Sequence, residues 1–419
     1  MQPGSYPGGT DPHHLVAMTA ESIYDELGVP TVINAASTKT RIGGSLIRPE
    51  AVEAMSRASE SFVRISDLQA KASEVIAEVT GAEAGYVANG AAACLTLAAA
   101  AAIAGDDLAA MEQLPDTEGL ADEIIMPNTH RNGYDHALRA AGAQLVTVGN
   151  NDNYLGTGSN STEDWEIESA IGEDTAAIAY MEKAYTSPPL EAVVEIAHRN
   201  DIPVIVDAAA ELPPAENLRT FIDLGADMVV FSGGKAIRGP QTSGILAGRE
   251  EYIRSAALQH LDMHVAPEVW EPPASLIDPE KLQGVPRQGV GRPLKAGKEE
   301  IVGLITALEL FVEEDQDAIG AERNERAAAI EAGLAGIDGV STEVEPGGKI
   351  MAAPQVMVQL DPSVTPMNAV ELVGTLRKED PRIFVGSDDL LDEAFGINTM
   401  CITDDEADYI VERIRAHLA

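Results

Sequence analysis

Between residues 85 and 231 short continuous apolar runs alternate with stretches of helical periodicity, and this alternation restricts the fold more than any other feature. The runs are Gly85–Ala88, Glu123–Met126, Gln144–Val148, Ala176–Met181, Ile202–Val206 and Met228–Phe231. The helical stretches include Pro49–Ser61, Leu68–Val79, Ala91–Ala104, Tyr134–Ala141 and Leu190–Arg199. Uninterrupted apolar strands need cover on both faces, and intervening helices return the chain for parallel pairing. An α/β fold with a mostly parallel sheet is expected.

The pattern breaks at Leu261–Val290, which is rich in Pro and Gly and reads as a long functional loop or a connecting segment. Lys298–Glu314 is strongly helical. From Ala327 the tail reads as a helix and a strand, then strand Gln355–Gln359, helix Asn368–Lys378, strands Ile383–Val385 and Thr399–Ile402, and helix Asp404–His417. Residues 1–20 read as a loose leader, and Glu21–Leu27 as a short helix. The expected organisation is an N-terminal segment 1–30, a large α/β domain 31–297, and a linking helix with a small α+β domain over 298–419.

At 419 residues and 45% hydrophobic, the chain can bury a sizeable core. Its 28 Lys+Arg face 68 Asp+Glu, a formal charge of −40, which argues against nucleic acid or an anionic membrane as partner. The carboxylates are dispersed rather than gathered in one tail, as suits a cytoplasmic protein of a halophile, where salt screens the self-repulsion. Cys94 and Cys401 are too few for a disulfide framework. The longest apolar run, Ala91–Ala104, is too short to cross a bilayer.

Several signatures are missing: H-E-x-x-H, C-x-x-C, G-x-S-x-G and a complete G-x-G-x-x-G. Gly291 to Lys298 imitates a phosphate loop but places Glu299 where a Ser or Thr would hold magnesium. His260 and His264 stand at i,i+4 spacing, which could share one helix face, but no third ligand is evident and no metal is assigned.

The chemistry is carried by two strand ends. Ile202–Asp207 is a buried strand ending in a carboxylate, and Met228–Lys235 is a strand opening through Ser-Gly-Gly into a lysine. Ligands of parallel sheets bind beyond the carboxyl ends of strands. Pyridoxal 5'-phosphate (PLP) needs a lysine for its aldehyde and a carboxylate for its pyridine nitrogen. Val87 to Ala93 leaves a strand for the alanine-rich helix; Asn89 is a candidate N-cap, and Gly90 allows close backbone approach to a phosphate at the helix N-terminus. Ser232 could add a hydroxyl.

These stretches resemble the SelA-like branch of the type I fold PLP enzymes, which includes selenocysteine synthase and D-glucosaminate-6-phosphate ammonia-lyase. The resemblance rests on Val32-Ile-Asn-Ala, Leu68-Gln-Ala-Lys, Thr129 to His136, Pro203 to Ala210, Phe231-Ser-Gly-Gly-Lys-Ala236, Arg238-Gly-Pro-Gln241, Leu258 to Asp262 and Lys295-Ala-Gly-Lys-Glu-Glu300. It implies a seven-stranded, mostly parallel sheet with a smaller C-terminal α+β domain, and a homodimer or larger homo-oligomer. It also implies Lys235 as the Schiff-base lysine and proton shuttle, Asp207 on the pyridine nitrogen, and Ala209 and His130 on the two ring faces. Asn89, Gly90, Ala91 and Ser232 would hold the phosphate; relatives usually carry Ser or Thr where Asn89 stands.

Arg41, Arg131, Arg287 and Arg292 lie in Gly-rich or irregular segments and are the candidate substrate-binding groups; each could equally be a structural ion pair. Arg292 with Lys295 and Lys298 forms the strongest local basic cluster. The expected reaction is Cα deprotonation of a 2-amino acid or amino-sugar acid and β-elimination to a 2-oxo acid and ammonia. The alternatives are selenium or sulfur transfer, racemisation, transamination, or a catalytically idle PLP-fold binder.

Overall fold

The computed structural model describes residues 22–152, 159–183, 186–287, 289–347 and 352–418; the expected leader lies outside them. The chain forms two compact units. One comprises Thr38–Arg323 with Pro346–Pro354, and the other the chain up to Ser37, Asn324–Glu345 and Gln355–Ala419. The larger unit thus keeps the Lys298–Glu313 helix, and the smaller includes the strand Val32–Ala35, so neither edge coincides with the expected boundaries.

The larger unit is built on a seven-stranded sheet whose strands are, in chain order, β1 (Ala84–Ala88), β2 (Glu123–Pro127), β3 (Gln144–Val148), β4 (Thr175–Met181), β5 (Val204–Asp207), β6 (Met228–Ser232) and β7 (Gly244–Gly248). Their spatial order is β1-β7-β6-β5-β4-β2-β3. β7 runs antiparallel to both neighbours, while β6-β5-β4-β2-β3 pair in parallel. The sheet is therefore mostly parallel and seven-stranded, as expected. β7 was not foreseen: Gly-Ile-Leu-Ala-Gly is short, and it returns beside β6 without the intervening helix that the βα alternation leads one to expect.

The alanine-rich stretch is a helix over Ala91–Ala104 and is buried on nearly every side. Having no polar face, it belongs inside the structure, and its small side chains let it lie close to β1 and β4 through β7. Leu97, Ala98, Ala99 and Ala100 are fully buried there with Tyr86, Ile124 and Leu246. Leu190–Arg199 forms the expected helix, and Leu68–Val79 lies within a longer one, Ile65–Thr80, that ends on left-handed Gly81. Among its described residues, Leu261–Val290 is irregular apart from two short 3-10 turns, Pro267–Val269 and Pro279–Lys281.

The smaller unit has a three-stranded antiparallel sheet, Val340–Glu345, Gln355–Leu360 and Ala394–Asn398, and a parallel pair, Val32–Ala35 with Arg382–Val385. Ile33, Val358, Leu372, Phe395 and Ile410 share its core. The expected strand Thr399–Ile402 is incorrect; the strand lies just before it. Asn398 ends that strand by accepting the Met400 N–H on its side chain (3.0 Å), which turns the chain toward the final helix, Asp404–Leu418.

Candidate active site

Parallel pairing sets the ends of β4, β5 and β6 side by side, with Met181 opposite Asp207 and Asp207 opposite Val230. Asp207 ends β5, and its carboxylate accepts the Ala209 N–H at 3.1 Å. Burial pushes the Asp207 carboxyl up; that hydrogen bond and the Lys235 and Lys183 charges pull the other way. Burial also pulls Lys235 below the ordinary lysine range, opposed by the charge of Asp207. Both shifts favour the neutral forms, so the amine is a free nucleophile and base at lower pH than an exposed lysine.

The turn that delivers Lys235 is tightly closed. Gly233 N–H donates to Ser243 O (2.9 Å), Gly239 N–H to Gly233 O (2.8 Å), and the Ser45 hydroxyl reaches Gly234 O (2.9 Å) and Lys235 O (2.7 Å). A Cβ at Gly234 would lie 2.5 Å from Gln241 Cα, which explains the second glycine of Ser-Gly-Gly.

The phosphate-side loop differs from expectation in one respect: the N-cap of Ala91–Ala104 is Gly90, not Asn89. Gly90 has φ 116°, and no side chain caps the helix. Asn89 is exposed and donates its backbone N–H to Leu294 O at 3.0 Å. A Cβ at Gly90 would meet open space, whereas one at Gly244 would lie 2.3 Å from the Gly90 carbonyl carbon. An uncapped helix N-terminus beside open space is suited to a phosphate.

His130 is fully buried, edge-on to Tyr180 with ring centroids 4.6 Å apart. Its Nδ1 accepts the Met181 N–H at 3.3 Å, and its Nε2 has no hydrogen-bond partner among the described residues. Burial lowers its pKa to about 4, against the pull of the Ser187 backbone, so the ring is neutral near pH 7. A small pocket lined by Leu95, Asn132, Tyr180, Ile205 and Asp207 adjoins this cluster. Ala209 and Ser232 are half-buried.

The arginines separate. Arg131 is engaged by the buried Asp135 carboxylate, a structural pairing. Arg41 is exposed on the 3-10 turn Thr40–Ile42, and Arg287 is exposed in the irregular segment. Arg292 and Lys295 flank Leu294, whose carbonyl holds Asn89, so they stand next to the phosphate-side loop. Lys298 is taken by Glu299 and the Ala58 carbonyl (2.6 Å), and leaves that basic cluster.

His260 and His264 do not share a helix face. The helix ends at Leu258, Asp262 and His264 adopt positive φ, and His260 is buried with Nδ1 against the Tyr86 hydroxyl. Among the described residues no group of three or more His, Cys, Asp or Glu is placed to hold a metal.

Two features were not anticipated from the sequence. Lys183, just past β4, forms an ion pair with the buried Glu211, and its charge acts on both Asp207 and Lys235. Gln259 is fully buried beneath Gly289 and Gly291, and neither heteroatom of its amide has a hydrogen-bond partner among the described residues. No local pattern marks these residues, because sheet order and loop packing bring them into place.

A half-buried carboxylate at a strand end, an amine whose pKa burial lowers and an uncapped helix N-terminus with free space at Gly90 together match PLP at its pyridine nitrogen, aldehyde and phosphate. Comparison with known proteins agrees. The aminotransferase class-V family matches residues 132–354. D-glucosaminate-6-phosphate ammonia lyase of Salmonella typhimurium is 32% identical over 402 residues, covering 94% of this chain and 97% of that protein. A 5'-C-glycyluridine monooxygenase-decarboxylase of a Streptomyces species is 27% identical over 396 residues, covering 93% and 90%. An L-seryl-tRNA(Sec) selenium transferase of Nitratidesulfovibrio vulgaris is 27% identical over 240 residues, covering 51% and 47%. Among solved structures, a D-glucosaminate-6-phosphate ammonia-lyase superposes with TM-score 0.77 at 30% identity, covering 95% of this chain and 98% of that one. On fold, site chemistry and similarity along its length, the chain belongs to the class-V aminotransferase family of PLP-dependent enzymes.

Proposed function

We propose that the protein is an ammonia-lyase acting on a 2-amino acid or amino-sugar acid, and that D-glucosaminate 6-phosphate is the substrate to test first. The observation that carries this reading is similarity along nearly the whole chain to an ammonia lyase of that compound. The Asp207 and Lys235 placement on neighbouring strand ends supports it.

When bound, the cofactor supplies an electron sink for the charge left at Cα. Asp207 keeps a proton on the pyridine nitrogen. The Ala91 backbone N–H, the Asn89 side-chain amide and the Ser232 hydroxyl would hold the phosphate, and Gly90, lacking a side chain, would leave room for it; the Asn89 and Gly90 N–H groups are already donated to Leu294 O and Ala88 O. Ala209 and the neutral His130 flank the ring. Lys235, whose pKa burial lowers, accepts the proton from Cα, and the products are a 2-oxo acid and ammonia. Arg292, with Lys295, is assigned to a phosphate on the substrate, because both flank the segment that holds the phosphate-side loop. Arg41 and Arg287 are the candidates for its carboxylate, and Arg131 serves that role only if it leaves Asp135. A homo-oligomer in the cytoplasm of a salt-adapted cell completes the proposal; among the described residues no helix is long and apolar enough to cross a membrane.

The test is a visible absorption spectrum of the purified protein and of Lys235→Ala, followed by an ammonia assay with D-glucosaminate 6-phosphate. A band present in the wild type and lost in the variant, with ammonia released by the wild type, is the expected result. A band without ammonia would keep the cofactor, overturn D-glucosaminate 6-phosphate as the substrate, and point to another amino acid or to transfer, racemisation or transamination.

A further inference from the structure

Lys183 occupies a position that nothing above employs. It lies two residues past Met181, the partner of Asp207 across the β4-β5 pair, and the Glu182 N–H donates to the Asp207 carbonyl at 3.1 Å. Successive strand ends thus deliver Lys183, Asp207 and, through the turn after β6, Lys235. The lysine's own turn is braced: the Thr186 hydroxyl donates to Lys183 O at 2.7 Å and lies 3.1 Å from the Tyr180 hydroxyl. Glu211, its ion-pair partner, is buried and anchored in turn, its N–H donating to Ala208 O (3.1 Å) and its carbonyl accepting from the Asn217 amide (2.7 Å).

A partly buried ion pair adds little stability, because desolvation offsets most of the attraction. Its place beside the reacting groups points to chemistry instead. If the protein is a β-eliminating lyase, hydroxide is a poor leaving group and needs a proton. Lys235 is occupied in accepting the proton from Cα, Asp207 is committed to the pyridine nitrogen, and the Glu211 carboxylate, paired with Lys183, is an acceptor. Of these four groups Lys183 is the one left with a proton to give. We propose that Lys183, oriented by Glu211, protonates the departing β-hydroxyl; this rests on the ammonia-lyase reading above.

The step balances. The Cα–H bond breaks and its proton goes to the Lys235 amine, and the electron pair becomes the Cα–Cβ double bond. The Cβ–O bond breaks, and the oxygen leaves as water carrying the proton of Lys183. Lys183 is left as a neutral amine and regains its proton from solvent. No oxidant or reductant is required.

The experiment uses the cofactor-loaded full chain with Lys183→Gln. Three quantities are measured: the visible band, exchange of the Cα proton for solvent deuterium by NMR, and ammonia release from both D-glucosaminate 6-phosphate and 3-chloroalanine. Chloride leaves without a proton. The expected result is an unchanged band, Cα exchange near the wild-type rate, and ammonia release from the hydroxyl substrate lowered roughly 100-fold or more, with release from 3-chloroalanine nearly unaffected. An equal loss on both substrates, or loss of exchange in step with ammonia, overturns the role of Lys183. Wild-type protein that releases no ammonia from the hydroxyl substrate overturns D-glucosaminate 6-phosphate as the substrate, and this inference with it. If Lys183→Gln loses the band, Lys183→Arg replaces it: it keeps the ion pair but holds its proton too tightly to give it up, so the same dependence on leaving group is required.

Discussion

The charge of Asp207 raises the pKa of Lys235 and that of Lys235 lowers the pKa of Asp207, and this gives a pH signature. Only the neutral amine attacks an aldehyde, so cofactor uptake by cofactor-free protein rises with pH and levels off above the pKa of Lys235. Burial lowers that pKa, so the plateau should begin at a lower pH than for an exposed lysine. The Asp207 charge works against the lowering. Asp207→Asn should therefore move the plateau to still lower pH, while reducing ammonia release by roughly 100-fold or more because the pyridine nitrogen loses its counter-charge. Stopped-flow absorbance across pH checks the first expectation, and an ammonia assay the second. A plateau that moves upward in the variant would contradict the electrostatic account. The sequence marks both positions by a local signal, since Asp207 ends an apolar strand and Lys235 follows one through Gly-Gly. It does not mark Lys183 and Glu211, since their partnership depends on β4 lying beside β5, and periodicity along the chain carries no information about strand order.

At the scale of elements, Ala91–Ala104 was read with correct limits because an all-apolar run of that length has one plausible place, inside. Its N-cap is less legible. Asn89 has the chemistry of a cap, but Gly90 takes the position with a backbone conformation that asparagine adopts far less readily. The helix lies so near the sheet that alanine is the largest side chain several positions accept. Ala98→Leu should cost about 1–3 kcal/mol of folding stability, read as a lower urea midpoint with unchanged slope. At β7, a methyl group on Gly244 would strike the Gly90 backbone, so Gly244→Ala should weaken cofactor binding by about tenfold without touching any donor, measured by titrating cofactor-free protein. In the smaller unit, Asn368 caps the helix Ala369–Leu376 with its side chain on the Glu371 N–H at 2.9 Å. Asn368→Ala should lower stability by about 0.5–2 kcal/mol and leave cofactor binding unchanged.

For the whole molecule the dominant quantity is the net charge of −40. Many of the few cations are already committed within the fold: Arg48 to Glu314, Arg254 to Asp106 at 2.6 Å, and Arg249 to the buried Asp227 at 3.0 Å. The surplus carboxylates are left to repel one another, and salt shortens the reach of that repulsion. The thermal midpoint should rise steadily from roughly 0.1 M to roughly 2 M KCl, where a protein of balanced charge would change little. A midpoint indifferent to salt would remove the case for a salt-adapted origin. The charge was plain from composition, whereas the membership of the two units was not: the Val32–Ala35 strand pairs with Arg382–Val385, far along the chain.

The contact between Gly244 and the loop at Gly90 also bears on descent. A lineage that lost the glycine in β7 would displace the loop's backbone, and no new side chain at position 90 could restore it. The two positions are therefore expected to be inherited together. Among relatives that retain this loop geometry, glycine at 244 should be kept even where the residues of the loop itself have drifted.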